Sequence, residues 1–149
     1  MGWISANFQM KRHERKSARV AAVMSSTEAK IKQELEAVKA TAQEAFDSHR
    51  RFWSYTLLEG AYGVYFRWKA VRHSKKNGKK AARLFGVNVN SAAHPLEVII
   101  KIVTPSGVDT RRWVDALLFA YSKRVAPKDL VKFFKANGGP AGCAHRQRA

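Results

Sequence analysis

The residues best suited to chemistry in this sequence are basic, and they concentrate in its middle. Residues 60–96 contain eight Lys and Arg and no Asp or Glu, in a chain of formal net charge +17. Lysine and arginine bind phosphate oxygens through charge and hydrogen bonds. The residues that we select as the main phosphate-binding patch are Lys69, Arg72, Lys75, Lys76, Lys79, Lys80 and Arg83.

The alternative interpretation of this patch is a solvated helix face. Like charges packed so closely repel one another unless a polyanion or counterions compensate them. A surface that serves solubility alone usually intersperses both signs. Because no acid stands between Glu59 and Glu97, the pattern favours a binding surface.

A second group of basic residues lies in the C-terminal third. Arg111 and Arg112 stand at a predicted helix start, where free backbone amides also attract anions, although Asp115 could equally pair with Arg111. Helices predicted over 110–124 and 127–137 form a helix-turn-helix-like pair, which either docks in a DNA groove or simply packs. The second helix would expose Lys128, Lys132 and Lys135.

The sequence is poorly equipped for enzymatic chemistry. Cys143 and His145 have no acid near them, and the five histidines lack the spacing of metal ligands. Glu34, Glu36, Glu44 and Asp47 share a predicted helix with Lys30, Lys32 and Lys39, so pairing along that helix explains these acids. Segment 138–142 is glycine-rich but lacks the Lys-Ser/Thr ending of a phosphate-binding loop. We therefore predict a non-enzymatic protein with no metal, cofactor or small-molecule substrate.

The elements that position the basic residues are predicted to be helices, beginning with a long one over about 26–59. Ser25 and Glu28 form a capping-box pattern at its start. A seam then recurs at alternating steps of four and three, as in a coiled coil. Its members are Ile31, Leu35, Val38, Ala42, Ala45, His49, Phe52 and Thr56. Alanine and histidine bury little apolar surface, so packing against the rest of the chain is favoured over a homodimer, which stays the alternative.

Residues 61–86 fit two secondary structures. Ala61, Tyr65 and Trp68 fall on one helical stripe, but the aromatic residues also alternate as in a strand, with Asn77-Gly78 as a hairpin turn. We favour helix because segment 79–85 consists of helix formers and ends at a glycine. Asn77-Gly78 then becomes a break between two helices.

The C-terminal third contains clearer helix signals. The predicted starts are His94-Pro95, Asp109 or Thr110, and Pro127. The β-branched residues of segment 96–103 leave a strand open there. The last helix ends at Asn137-Gly138-Gly139, and residues 140–149 are predicted to form a frayed polar tail.

These elements predict an all-α domain of four to six helices over residues 25–139. It comprises the long N-terminal helix, a basic middle region over 60–90 and C-terminal helices over 95–137. Residues 1–24 are predicted to be a flexible basic leader. A single cysteine excludes an internal disulfide, no apolar stretch approaches the roughly 20 residues of a membrane span, and no secretory signal is evident. We expect a cytoplasmic protein.

The C-terminal third also resembles a group of plasmid- and phage-borne proteins of proteobacteria that have no characterised function. The similar stretch is RRWVDALLFAYSKRVAPKDLVKFFKANGGPAGCA (111–144), preceded by HPLEVII (94–100). The shared pattern is an aromatic residue, an Ala-Leu-x-x-Ala-Tyr helix, Pro-x-x-Leu and Gly-Gly-x-x-Gly-Cys. These are packing and capping residues, so the resemblance implies a helical fold and a mobile-element context, with no functional residue.

The function that we expect from the sequence is nucleic-acid binding, to DNA more than RNA, mainly through phosphates. Such contacts attract and position without reading sequence. The leader would act as an added electrostatic arm, and the location would be the nucleoid. Two alternatives stay open. One is an interaction module that dimerises through the long helix or binds an acidic partner, and the other is peripheral binding to an anionic membrane surface.

Overall fold

Seven α-helices and one short 3-10 helix make up the computed structural model, which describes residues 27–90 and 92–149. The helices are α1 (27–47), α2 (Trp53–Ala70), α3 (Ser74–Leu84), α4 (Pro95–Val103), α5 (Arg111–Ser122), α6 (Leu130–Ala136) and α7 (Gly139–Arg148), and the 3-10 helix is Pro127–Asp129. Those ranges contain no strand, which confirms the all-α prediction, although the helices outnumber the four to six expected. The predicted leader and the Ser25 cap lie outside the described residues.

The long helix predicted over 26–59 is divided, because α1 ends at residue 47 and α2 begins at Trp53. His49 has φ of 52°, in the left-handed region that no α-helix continues through. The amide of His49 donates to the Phe46 carbonyl and that of Arg50 to the Ala45 carbonyl, which is the Schellman pattern of helix termination. Glycine usually occupies the left-handed position, so the sequence offered no stop signal here.

The seam of α1 packs inside the protein's own core. Ile31, Leu35, Ala42 and Ala45 are buried, and Val38 lies against Gly60 of α2. Further contacts from Glu34 to Arg67 (3.0 Å) and from Phe46 to Trp53 (ring centroids 4.9 Å apart) make α1 and α2 an antiparallel pair. Self-association through this face would therefore require α1 to leave the core. The last three seam members, His49, Phe52 and Thr56, are exposed.

The hairpin alternative for residues 61–86 is wrong, because α2 and α3 occupy this region. The break between them also differs from the prediction. Asn77 and Gly78 lie buried inside α3, and the turn falls at residues 71–73, where Arg72 has φ of 61°. The backbone of α3 approaches α4 so closely at Gly78 that a Cβ there would meet the Pro95 Cα at 3.3 Å. Gly78 is thus a packing residue and not a turn residue.

The predicted start of α4 is confirmed. The His94 Nδ1 accepts a hydrogen bond from the Leu96 amide (3.1 Å), and Pro95 occupies the first turn. Thr110 directly precedes α5, but its side chain caps nothing. The Arg111 amide at the start of α5 donates its hydrogen bond to the Asp109 carboxylate (3.1 Å).

The frayed tail predicted over 140–149 is wrong, because α7 covers most of it. Gly138 and Gly139 both have positive φ and let the chain turn directly from α6 into α7, and Pro140 stands in the first turn. α7 packs closely on α5 and buries Cys143 and Ala144. Its remaining side chains are mostly polar or small, so it lacks the apolar stripe that sequence patterns depend on.

Candidate nucleic-acid interface

The helix α3 has one buried and one basic face. Ser74, Asn77, Gly78 and Ala81 point into the protein at helical spacing. The rest of the helix surface carries Lys75, Lys76, Lys79, Lys80 and Arg83, of which Lys80 is partly buried and the others are exposed. An 11-residue helix therefore presents five cations and no carboxylate.

Lys69 and Arg72 extend this basic face around the corner between α2 and α3. Lys69 is exposed in the last turn of α2, and Arg72 occupies the left-handed position of the turn. The His73 amide donates to the Trp68 carbonyl and the Arg72 amide to the Lys69 carbonyl, so a second Schellman pattern holds the turn. We call the set Lys69, Arg72, Lys75, Lys76, Lys79, Lys80 and Arg83 the corner patch.

The corner patch has no compensating acids among the residues that the structure describes. Within residues 27–90 and 92–149, none of its seven cations forms an ion pair with a carboxylate. The nearby Arg67, which lies outside the patch, does pair, with Glu34 at 3.0 Å. The other acids that pair are engaged elsewhere, as in Lys101–Glu97 and Lys32–Glu36. The positive charge at this corner is therefore available to an external anion.

A groove of about 760 Å³ runs beside the corner patch, between α3 and the chain that leads into α4. Lys75 and Lys79 line this groove, and so do His94 and several apolar residues such as Val89. Burial and then the positive charge of Lys69 lower the pKa of His94, while Glu97 opposes them. His94 is thus neutral at pH 7 and carries its ring proton on Nε2, since Nδ1 accepts the Leu96 amide. The sequence indicated His94 only as a helix start.

The second group of basic residues, in the C-terminal third, is partly engaged in ion pairs. Arg111 pairs with Asp109 at 3.1 Å, and hydrogen bonds from the Arg111 side chain lower the pKa of Asp109. The alternative in which Arg111 pairs with Asp115 is wrong, because the Asp115 carboxylate accepts a hydrogen bond from the Arg148 side chain at 2.8 Å. Arg112 is exposed and forms no ion pair in the described ranges.

The helix-turn-helix-like pair takes the form of a three-helix unit. α6 is 7 residues long, and α7 packs on both α5 and α6. Lys128, Lys132 and Lys135 are exposed as expected. Lys135, however, lies over the ring of Phe52 at the α1–α2 turn, at 5.8 Å from the centroid.

The corner patch and the Phe52 region lie at opposite ends of α2. The 18 residues of that helix correspond to about 27 Å. The twelve cations selected from the sequence therefore do not all share one surface. The sequence also did not indicate that Phe52 would be exposed, since its spacing placed it on the seam of the long helix predicted over about 26–59.

No three His, Cys, Asp or Glu side chains in the described ranges are grouped so that they could hold a metal ion. No helix in those ranges has both the length and the apolar character needed to cross a membrane. Comparisons with protein-family models, curated proteins and solved structures found no match to this chain.

Proposed function

We propose that this protein binds nucleic acid, with DNA favoured, through phosphate contacts made by the corner patch and without catalysing a reaction. The observation that supports this most is the group of seven cations at one corner, none ion-paired within the described ranges. Holding such charges together is unfavourable in the free protein. A polyanion relieves the repulsion and releases its own counterions on binding.

The dimensions of α3 suit a nucleic-acid backbone. Its 11 residues extend about 16 Å, which corresponds to roughly five base-pair steps when measured along the axis of a duplex. The patch consists of Lys and Arg, whose contacts to phosphate carry no base information. We therefore propose binding with little sequence preference, as in an accessory or regulatory protein that acts on plasmid or phage DNA inside a bacterium.

The test is duplex DNA binding by a variant in which Lys75, Lys76, Lys79 and Lys80 are changed to Gln. We expect its affinity to fall by at least about tenfold at moderate salt, since each lost phosphate contact weakens binding. The control variant changes four exposed lysines outside the corner patch, Lys30, Lys32, Lys39 and Lys123, to Gln. It has the same net charge, so it separates a local interface from general attraction.

Equal affinities of the two variants would contradict the proposal, because the corner would then have no special part in binding. Circular dichroism of both variants checks that the helices are retained. All eight lysines lie outside the buried core, so we expect no change in helix content.

A further inference from the structure

Phe52 is an aromatic residue that the fold leaves uncovered. Phe52 is 51% exposed, and in the described ranges Val71 is the one other large hydrophobic residue with a comparable exposure. Phe52 stands in the turn between α1 and α2, directly before the first residue of α2. Burying an exposed ring of this size is favourable, so the ring is a candidate for contact with a ligand.

The ring of Phe52 is connected to the core through stacked rings. It stacks on Tyr55, with centroids 5.5 Å apart and an interplanar angle of 24°. Tyr55 in turn stacks on the fully buried Phe134 at 6.2 Å and 27°. Three rings from the turn, α2 and α6 thus form a ladder that leads from the core to the surface, and Phe52 is its outermost member.

Two cations lie over this outermost ring. The guanidinium carbon of Arg51 lies 5.2 Å from the ring centroid, and the Lys135 Nζ lies 5.8 Å from it. They come from the α1–α2 turn and from α6, so the tertiary fold brings them together around Phe52. Neither is ion-paired with a carboxylate in the described part of the chain.

An exposed, supported aromatic ring with mobile cationic side chains over it combines the two features that bind single-stranded nucleic acid. Bases stack on the ring whatever their sequence, and the cations neutralise the adjoining phosphates. A base inside a duplex is already stacked and paired, so it cannot use the ring.

We propose that Phe52 is a stacking platform for an unpaired base, which takes the place of Arg51 and Lys135 over the ring while these two side chains bind the phosphates next to that base. This inference rests on the proposed function and specifies one form of the ligand, single-stranded nucleic acid. It places the binding site for that form at the end of α2 farthest from the corner patch.

The test measures fluorescence anisotropy of the full chain with labelled oligo-dT of about 20 nucleotides and with a labelled duplex of the same length. Phe52→Leu keeps an apolar side chain but removes the aromatic face, and Phe52→Trp restores it. Val71→Ala is the control at the other exposed hydrophobic position. We expect Phe52→Leu to weaken oligo-dT binding about tenfold, with Phe52→Trp and Val71→Ala close to the wild type. Duplex binding should not change in any of the three.

Wild-type affinity of Phe52→Leu for oligo-dT would overturn the stacking platform, as would an equal loss in Phe52→Trp. An effect of Phe52→Leu on sedimentation or on binding to anionic vesicles, without one on oligo-dT, would assign the ring to a protein or lipid contact and overturn it too. The Lys-to-Gln corner variant separates the two proposals. If that variant loses duplex affinity and Phe52→Leu binds oligo-dT normally, only the platform fails. If wild-type protein binds neither probe, both fail.

Discussion

Val38 on α1 lies directly against the backbone of Gly60 on α2, so that a Cβ added at Gly60 would meet the Val38 Cγ1 at 2.8 Å. This contact sets the distance between the first two helices and places the α1 seam in the core. We predict that Gly60→Ala lowers the free energy of unfolding by about 1–3 kcal/mol, because the added methyl group overpacks the contact. Chemical denaturation measures the change.

Helix propensity alone predicts the opposite sign, since alanine stabilises a helix interior by about 1 kcal/mol relative to glycine. The double variant Val38→Ala/Gly60→Ala is the control, because it removes the group with which the new methyl collides. We expect the two changes to be non-additive, with the double variant more stable than the sum of the single effects. A stabilised Gly60→Ala would mean that α1 does not pack here in solution.

The left-handed turn at His49 supports a second prediction, also about stability. A residue with a Cβ atom is strained at the φ of 52° that His49 adopts. Glycine normally occupies this position of a Schellman motif, which the hydrogen bonds around His49 form. We therefore expect His49→Gly to raise the free energy of unfolding by about 0.5–1 kcal/mol.

Ser48→Gly is the matched control, because Ser48 has no positive φ and gains nothing from glycine. It should destabilise the protein slightly. If His49→Gly is as destabilising as Ser48→Gly, the chain does not break at His49, and a continuous helix through this region becomes the better description.

His94 leads to a prediction about pH. Burial and Lys69 lower its pKa below the usual 6.5, so near that pH the unfolded chain binds a proton that the folded chain does not. The free energy of unfolding is then at its full value above about pH 6.5 and falls as the pH drops from there toward the folded-state pKa. Protonation of Nδ1 would also break the cap to Leu96.

Thermal melts between about pH 7.5 and 5.5 check this pH dependence. Wild type should lose more stability over that interval than His94→Asn, which keeps a capping side chain but does not titrate. His94→Ala removes the cap and should lose about 1 kcal/mol already at neutral pH. Identical pH profiles for wild type and His94→Asn would show that His94 does not titrate in folding.

The fold was predictable where local signals and tertiary packing agree. The start of α4 at His94-Pro95 and the end of α3 before Gly86, at φ of 62°, follow from capping chemistry that a sequence displays. The breaks at His49 and Arg72 were not predictable, because ordinary side chains occupy positions that favour glycine. The break predicted at Asn77-Gly78 was wrong for the opposite reason. Gly78 lies inside a helix and permits a close helix–helix contact that only the tertiary structure shows.

The candidate site divides in the same way. A one-sided cluster of charge is visible in the sequence, and α3 does place its five cations together on the solvent side. The surroundings of Phe52 depend on α1 ending early and on α6 bringing Lys135 to the turn, which are both long-range outcomes. The sequence did not predict α7 because this helix buries only two small side chains, Cys143 and Ala144, and so shows no apolar periodicity.

The dependence of duplex DNA affinity on salt tests the central claim most directly. If the corner patch neutralises about six phosphates, the logarithm of the binding constant should fall with the logarithm of salt concentration at a slope near −5, a loss of ~10³ between 50 and 200 mM. Changing Lys75, Lys76, Lys79 and Lys80 to Gln should reduce the size of that slope by about 3–4. The control variant with Lys30, Lys32, Lys39 and Lys123 changed to Gln should keep a slope near the wild-type value. A wild-type affinity that does not vary with salt, or a corner variant with the wild-type slope, would contradict phosphate binding by this surface.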